Sequence, residues 1–325
     1  MRNAVIAPHP RTVVGWLAGV ALLAAASPSH AQAFLPNPGE GAVSVLYQNA
    51  LVDRHLLSDG SRLDAGKIVS DGLLLDVSYG VSEKMAISFS VPFMTAKYDG
   101  ARPHPNSLLD DGNYHSGLQD FRFDVRYSAA RGPLRITPFV GTILPTHNYP
   151  FYGHAAIGRD VKELQVGAYV ARTFDPVIPG AFVQVRYAYG IAERLLDVSH
   201  NRSLIDAEVG YFINPRFRAF GMSTTQLTHG GIELTRSFPL DLSADELLRH
   251  DQISRSNVFD LGGGAQVSVT PTIDLVASVI HTMSGANGHA ISYGLTVGAS
   301  WSFTATALSR QPAHALHRCL CLKGT

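Results

Sequence analysis

Residues 289–303 hold a two-residue rhythm for fifteen positions. The odd places carry His289, Ile291, Tyr293, Leu295, Val297, Ala299, Trp301 and Phe303; the even places carry Ala290, Ser292, Gly294, Thr296, Gly298, Ser300 and Ser302. Successive side chains of a strand point to opposite faces, so one face is apolar and aromatic while the other is small and polar. Strands of soluble sandwiches also alternate, but typically for about 5–6 residues. A strand that crosses a bilayer needs about 9–11 residues, apolar outward and polar inward, with aromatics at the interfaces. The length of the rhythm points to strands that span lipid.

The pattern recurs. Leu73, Leu75, Val77 and Tyr79 oppose Asp76 and Ser78; Ile87, Phe89, Val91 and Phe93 oppose Ala86, Ser88 and Ser90. Phe121, Phe123, Val125 and Tyr127 oppose Asp120, Arg122, Asp124 and Arg126. Val183, Val185, Tyr187 and Tyr189 oppose Gln184 and Arg186, and Ile205, Ala207, Val209 and Tyr211 oppose Asp206 and Glu208. Phe259, Leu261, Ala265 and Val267 oppose Asp260, Gly262, Gly264, Gln266 and Ser268. A helical period accounts for none of these. Twelve strands are predicted, over 41–53, 70–80, 85–97, 116–128, 134–145, 163–174, 180–192, 202–213, 216–227, 257–269, 272–283 and 289–303. The rhythm is least regular in 41–53, 134–145, 216–227 and 272–283.

The connections alternate too. Tight turns rich in Gly, Pro and Asn, at 80–84, 129–133, 175–180, 213–216 and 270–272, separate long polar stretches at 54–69, 98–115, 146–162, 193–201, 228–256 and 284–288. The fold class expected is all-β: a single antiparallel transmembrane β-barrel of about 12 strands, with short periplasmic turns and long extracellular loops. In hydrocarbon each unpaired backbone N–H or C=O costs several kcal/mol, and a sheet closed on itself leaves no edge unpaired. An even strand count puts both termini on the periplasmic side.

The N-terminus fits export. Arg2 and Arg11 precede the apolar run 12–26, and Ser29 and Ala31 occupy the −3 and −1 positions of a cleavage site, so 1–31 reads as a signal peptide. The barrel is expected over 32–303 and an unstructured tail over 304–325. The only cysteines, Cys319 and Cys321, lie in that tail, so no disulfide supports the barrel. Two thiols alone make a weak case for a soft-metal site there. Only 16% of residues are charged and the formal net charge is zero, against about 25% charged in soluble domains. Phosphate binding needs a basic face, so nucleic acid is excluded as a partner. The partners expected are membrane lipids, a small-molecule solute and the outer-membrane assembly machinery, with no cofactor.

Two stretches carry a resemblance. "SVPFMTAKYDG" (90–100) is followed by "SGLQDFRFDVRYSAARGPLRITPFVGTILPTHNY" (116–149). A strand ending in VPF, then a GL-D-R-RY stretch, then PFVG and PT before a Tyr, resembles the outer-membrane family named for the meta-pathway of phenol degradation, over most of 40–303. The resemblance implies an outer-membrane channel with hydrophobic or aromatic compounds as candidate solutes, and it transfers no catalytic residues. Phe303 resembles the terminal aromatic of the barrel-assembly signal, although in such barrels that aromatic usually ends the chain. Here 22 residues follow it, as a periplasmic tail or an altered reading frame.

Candidate lumen-lining residues are Asp76, Asp120, Arg122, Asp124, Arg126, Arg186, Asp206, Glu208 and Asp260. Opposed charges of this kind either set a transverse field that selects solutes or fill the interior as ion pairs. In 228–256, Ser243 and Glu246 fit a capping box, and Leu242 with Leu247 a hydrophobic staple, before a helix over 244–250. That loop is a lid over the mouth or a surface excursion. His55, His104, His115, His147, His154, His200, His229, His250 and His289 fall in or beside the loops, with no HxH or HxxxH spacing, and read as dispersed solvated residues rather than a metal or pH-sensing rim. No enzyme is expected. A barrel lipid hydrolase needs Ser and His together on the outer wall, and His200 with Ser203 is the nearest pair, at the wrong spacing. Two alternatives to a channel remain: a plugged barrel acting through its loops, and that hydrolase.

Overall fold

The computed structural model describes residues 33–64, 66–100 and 107–305. The signal peptide predicted at 1–31 and all but the first two residues of the predicted tail lie outside the described residues. The chain forms β1 (Glu40–Leu56), β2 (Arg62–Leu63), β3 (Lys67–Ser82), β4 (Met85–Asp99), β5 (His115–Leu118), β6 (Asp120–Tyr127), β7 (Leu134–Pro145) and β8 (Glu163–Thr173). There follow β9 (Ala181–Ala192), β10 (His200–Asn214), β11 (Phe217–Gly230), helix α1 (Ala244–Ile253), β12 (Asn257–Ser268), β13 (Ile273–Ala286) and β14 (Gly288–Thr304). Each long strand pairs antiparallel with the next, and β14 returns to β1 with Glu40 opposite Thr304 and Leu56 opposite Gly288. β2 is a two-residue return against β1. β5 and β6 share one stave, interrupted at Gln119, whose N–H donates to Pro92 O at 2.9 Å. The result is the closed twelve-stranded antiparallel barrel that the alternation predicts.

Burial is inverted relative to a water-soluble sheet protein. Leu73, Phe93, Val140, Val166, Val209 and Trp301 are exposed on the outer wall, whereas Gln48, Glu163, Gln165, Gln184, Glu208 and Arg218 are buried inside it. Such a surface is stable only against hydrocarbon. Tyr127, Tyr211 and Trp301, all exposed, stand near the short-turn end as an aromatic girdle.

The interior is not uniformly polar. Leu46, Leu74, Phe220 and Val276 are buried together within it, and Phe139 joins Tyr169, Ala188 and Leu204 in a second cluster. Leu46, Phe139, Phe220 and Val276 belong to the four strands whose rhythm is least regular, because these positions place an apolar residue inward where alternation calls for a polar one. The second cluster also holds Ala33 and Phe34, so the segment before β1 folds back into the lumen. Gly39, at φ 83°, makes the bend, in a region where glycine is at ease. Gln184 Oε1 accepts from Ala33 N at 3.0 Å, Thr137 Oγ1 donates to Ala33 O at 2.9 Å, and the Arg135 guanidinium lies 4.5 Å from the Phe34 ring centre.

Two connections differ from expectation. The polar stretch 284–288 is not a loop. Only Asn287, in the left-handed region that Asn tolerates, separates β13 from β14. The β13–β14 ladder ends at Ile280 opposite Gly294; beyond it His281 Nδ1 donates to Ser292 O at 2.7 Å and Thr282 Oγ1 accepts from Ile291 N at 2.8 Å. The predicted helix is also longer by three residues, ending at Ile253. Its capping box is formed, with Ser243 Oγ accepting from Glu246 N at 3.2 Å and Glu246 Oε2 accepting from Ser243 N at 2.9 Å. Contacts made by its last turn, where Gln252 and Ile253 are buried, extend it.

Candidate functional site

The inward side chains of β8 to β12 form a connected polar lattice. Arg186 on β9 and Asp206 on β10 are directly opposed in register, with Nη1 3.0 Å from Oδ2. The second Arg186 amine donates to Gln165 Oε1 at 2.5 Å, and Gln165 Nε2 donates to Glu163 Oε1 at 2.6 Å. Glu163 accepts from Arg202 Nε at 2.7 Å, and Arg202 Nη1 donates to Gln226 Oε1 at 3.0 Å. Further on, Arg218 joins Glu208 at 2.9 Å and Gln266 at 2.9 Å, with its guanidinium 5.0 Å from the Phe220 ring. On the facing wall Arg126 pairs with Asp124 at 3.1 Å and donates to Ser88. Charges this confined are tolerable only when paired, and each of these is.

Two cavities lie within the lattice. The larger, about 340 Å³, is lined by Asp76, Asp124, Arg126, Arg186, Asp206 and Glu208, together with Phe34 of the inserted segment. The smaller, about 140 Å³, is lined by Asp120 and Asp260 as well as Arg202 and the loop residues Arg159 and Asp251. Arg122, Ile143, Met222 and Thr224 line both. All nine residues singled out in the sequence therefore border one cavity or the other. Glu163, Arg202 and Arg218 escaped notice. Arg202 shares the inward parity of Asp206 and Glu208, a signal that was available; Glu163 opens its strand directly after a long loop, and Arg218 lies in one of the irregular strands.

The long-loop end is covered. Tyr149, from 146–162, donates to Asp120 and accepts from Asp160 N at 2.8 Å. Burial, then the Asp120 carboxylate, push the Tyr149 phenol well above its ordinary value. Arg159 Nη2 donates to Gln252 O at 2.7 Å, and Gln252 Nε2 donates to Arg159 O at 2.6 Å. This reciprocal pair fastens the 146–162 loop to α1, and Asp251 of α1 faces the smaller cavity. The 228–256 loop is thus a lid rather than a surface excursion.

The histidines divide. His104 lies outside the described residues. His115, at the start of β5, bonds Asp111 at 2.9 Å, and His147, exposed in the 146–162 loop, bonds Thr146 at 3.0 Å. The expectation of dispersed residues fails for His55, His154, His250 and His289, which are brought together under the lid. His200 and Ser203 are not brought together: their parity places them on opposite faces, and His200 Nδ1 donates to Val198 O at 3.3 Å. Ser203 faces outward and lies 2.8 Å from His229 Nε2. The Tyr189 ring stacks on His229 at 5.8 Å.

The same architecture occurs in the COG4313 outer membrane channel from Pseudomonas putida F1, with a TM-score of 0.64 at 14% identity, over 83% of this chain and 97% of that one. The NanC porin gives a TM-score of 0.49 at 11% identity, over 80% and 98%. The first likeness is one of fold, a closed β-barrel of the outer-membrane kind. No protein-family model and no curated protein matches the sequence.

Proposed function

We propose that this chain is a bacterial outer-membrane channel for passive uptake of small solutes, with the short turns in the periplasm and the long loops outside. The observation that carries the reading is the pair of lumen cavities that share Arg122 in their lining, inside a wall whose outer face is apolar. Asp76, Asp120, Arg122, Asp124, Arg126, Arg186, Asp206, Glu208 and Asp260 line the path. Their opposed charges set a field across it that favours polar or zwitterionic groups on a solute. The Phe139 ring beneath Arg186 at 5.0 Å borders the larger cavity and suits an aromatic solute that also carries a charge or hydroxyl. This agrees with the resemblance to the family named for phenol degradation.

A second reading rests on the Ala33–Pro36 segment inside the lumen and on the Tyr149–Asp120 and Arg159–Gln252 ties across the mouth. They favour a resting state that is plugged, with the loops as the working surface. Planar-bilayer recording on refolded protein separates the two. Discrete conductance steps, larger after deletion of residues 33–36, support the channel. Silence from both forms, with folding verified by heat-modifiable gel mobility, rejects it in favour of the plugged barrel.

A further inference from the structure

Four histidines from separate parts of the chain meet beneath the lid. His55 and His289 are paired in the register of the β1–β14 seam, with ring centres 4.0 Å apart. His154, from 146–162, places its Nε2 3.0 Å from His55 Nε2. His250 and Asp251 come from α1; His250 Nε2 is 3.4 Å from Asp251 Oδ1, which lies 3.9 Å from His289 Nδ1. One ligating atom each from His55, His154 and His289 falls within 4.8 Å, and the same holds for His55, His250 and Asp251. His55, His154 and His250 are nearly inaccessible to solvent.

A packing role explains this poorly. Two imidazole nitrogens 3.0 Å apart share one proton at best, and each further proton adds like charge in a sealed space. A buried structural histidine normally satisfies both nitrogens, yet His55 Nδ1 is buried without a hydrogen-bond partner among the described residues. The surroundings are those of ligands held in position. His250 Nδ1 donates to Leu247 O at 2.7 Å, which leaves its Nε2 as the basic nitrogen. Asp110 Oδ2 stands 3.6 Å behind His154 Nδ1. The Tyr98 ring stacks on His154 at 4.7 Å, and Phe238 stacks on His55 at 5.9 Å.

We propose that His55, His154 and His289, with Asp251 or His250 in the fourth position, bind a divalent transition metal of the zinc class. Zinc–imidazole bonds of about 2.0–2.1 Å put the nitrogens of a tetrahedral set about 3.4 Å apart, so modest side-chain rotations close the present spread. Calcium and magnesium prefer oxygen sets and fit poorly. A bound ion fastens the 146–162 loop and α1 to the barrel seam. The site goes beyond the channel reading, and binding is measured whether or not the barrel conducts.

The test uses refolded full-length protein carrying Cys319→Ser and Cys321→Ser, so that tail thiols do not compete, after stripping with a chelator. Zinc chloride is titrated calorimetrically, and cobalt(II) is titrated by visible absorption. One equivalent per chain is expected, with the intense d–d bands of a tetrahedral cobalt site. His154→Gln and His289→Gln should each weaken zinc at least about tenfold, and Asp110→Asn by about 10–100-fold. His154 lies outside the sheet, so its variant carries the test even if a seam substitution blocks folding. Absence of saturable one-to-one binding, or unchanged binding in the His154→Gln/His289→Gln double variant, overturns the proposal.

Discussion

Arg218 and Glu208 lie on neighbouring strands, Nη1 2.9 Å from Oε1, and both side chains are almost wholly sealed inside the barrel. Removing one member of such a pair leaves an ion buried without its counter-charge, which typically costs about 3–5 kcal/mol. Arg218→Ala should therefore lower stability by that order in urea unfolding from detergent micelles. Arg218→Met combined with Glu208→Gln should recover most of the loss. If the double variant loses the sum of the two singles, the pair is not coupled as described.

Tyr149 ties the 146–162 loop to Asp120 through its hydroxyl. Tyr149→Phe keeps the ring and deletes the donor, at a cost of about 1–3 kcal/mol for the stranded carboxylate. Longer or more frequent openings in bilayer recordings are expected, with little change in the conductance of the open state. A variant whose open probability matches that of the parent protein would show that the loop does not gate.

Arg122 borders both cavities. Arg122→Glu reverses the charge at a point that both cavities share and should move the reversal potential, measured in a salt gradient, toward cation preference. Equal reversal potentials before and after the change would place the selective point elsewhere.

Asp59 ties two of the long loops by accepting from Arg236 Nε at 2.7 Å. Hydrogen bonds from Ser61, then the one from Arg236, hold the Asp59 carboxyl well below the usual aspartate range. A depressed folded value means that the tie contributes above the unfolded pKa of about 3.9 and is lost only as pH falls through the lower folded one. Carbon-13 carboxyl titration should find Asp59 still mostly ionised at pH ~3, where an ordinary aspartate is mostly protonated. Arg236→Gln should raise the midpoint, and an unmoved midpoint removes Arg236 as a cause.

The barrel was legible because lipid outside and polar groups inside impose a period of two, and residues such as Phe123 and Asp124 obey it without exception along β6. Leu46, Phe139, Phe220 and Val276 weakened the signal in their strands, since an interior narrow enough to touch across accepts apolar fillers that a wide pore would not. Asp120 and Arg186 could be placed in the lumen from parity alone. The lid could not: Arg159 and Gln252 meet only after two loops fold over the mouth, and nothing in their local sequence marks them as partners. His55, His154, His250 and His289 escaped for the same reason, because ligand spacing is read along one element and these four come from four different places in the chain.

His55 and His289 sit opposite each other across the join between the first and last strands. They come within reach only when the cylinder is shut, so neither a half-inserted intermediate nor an open sheet can present them together. The histidine cluster is therefore a chemical signature of completed assembly. Loss of reactivity toward an imidazole-specific reagent, as His55 becomes buried, would mark the moment at which the first and last strands join.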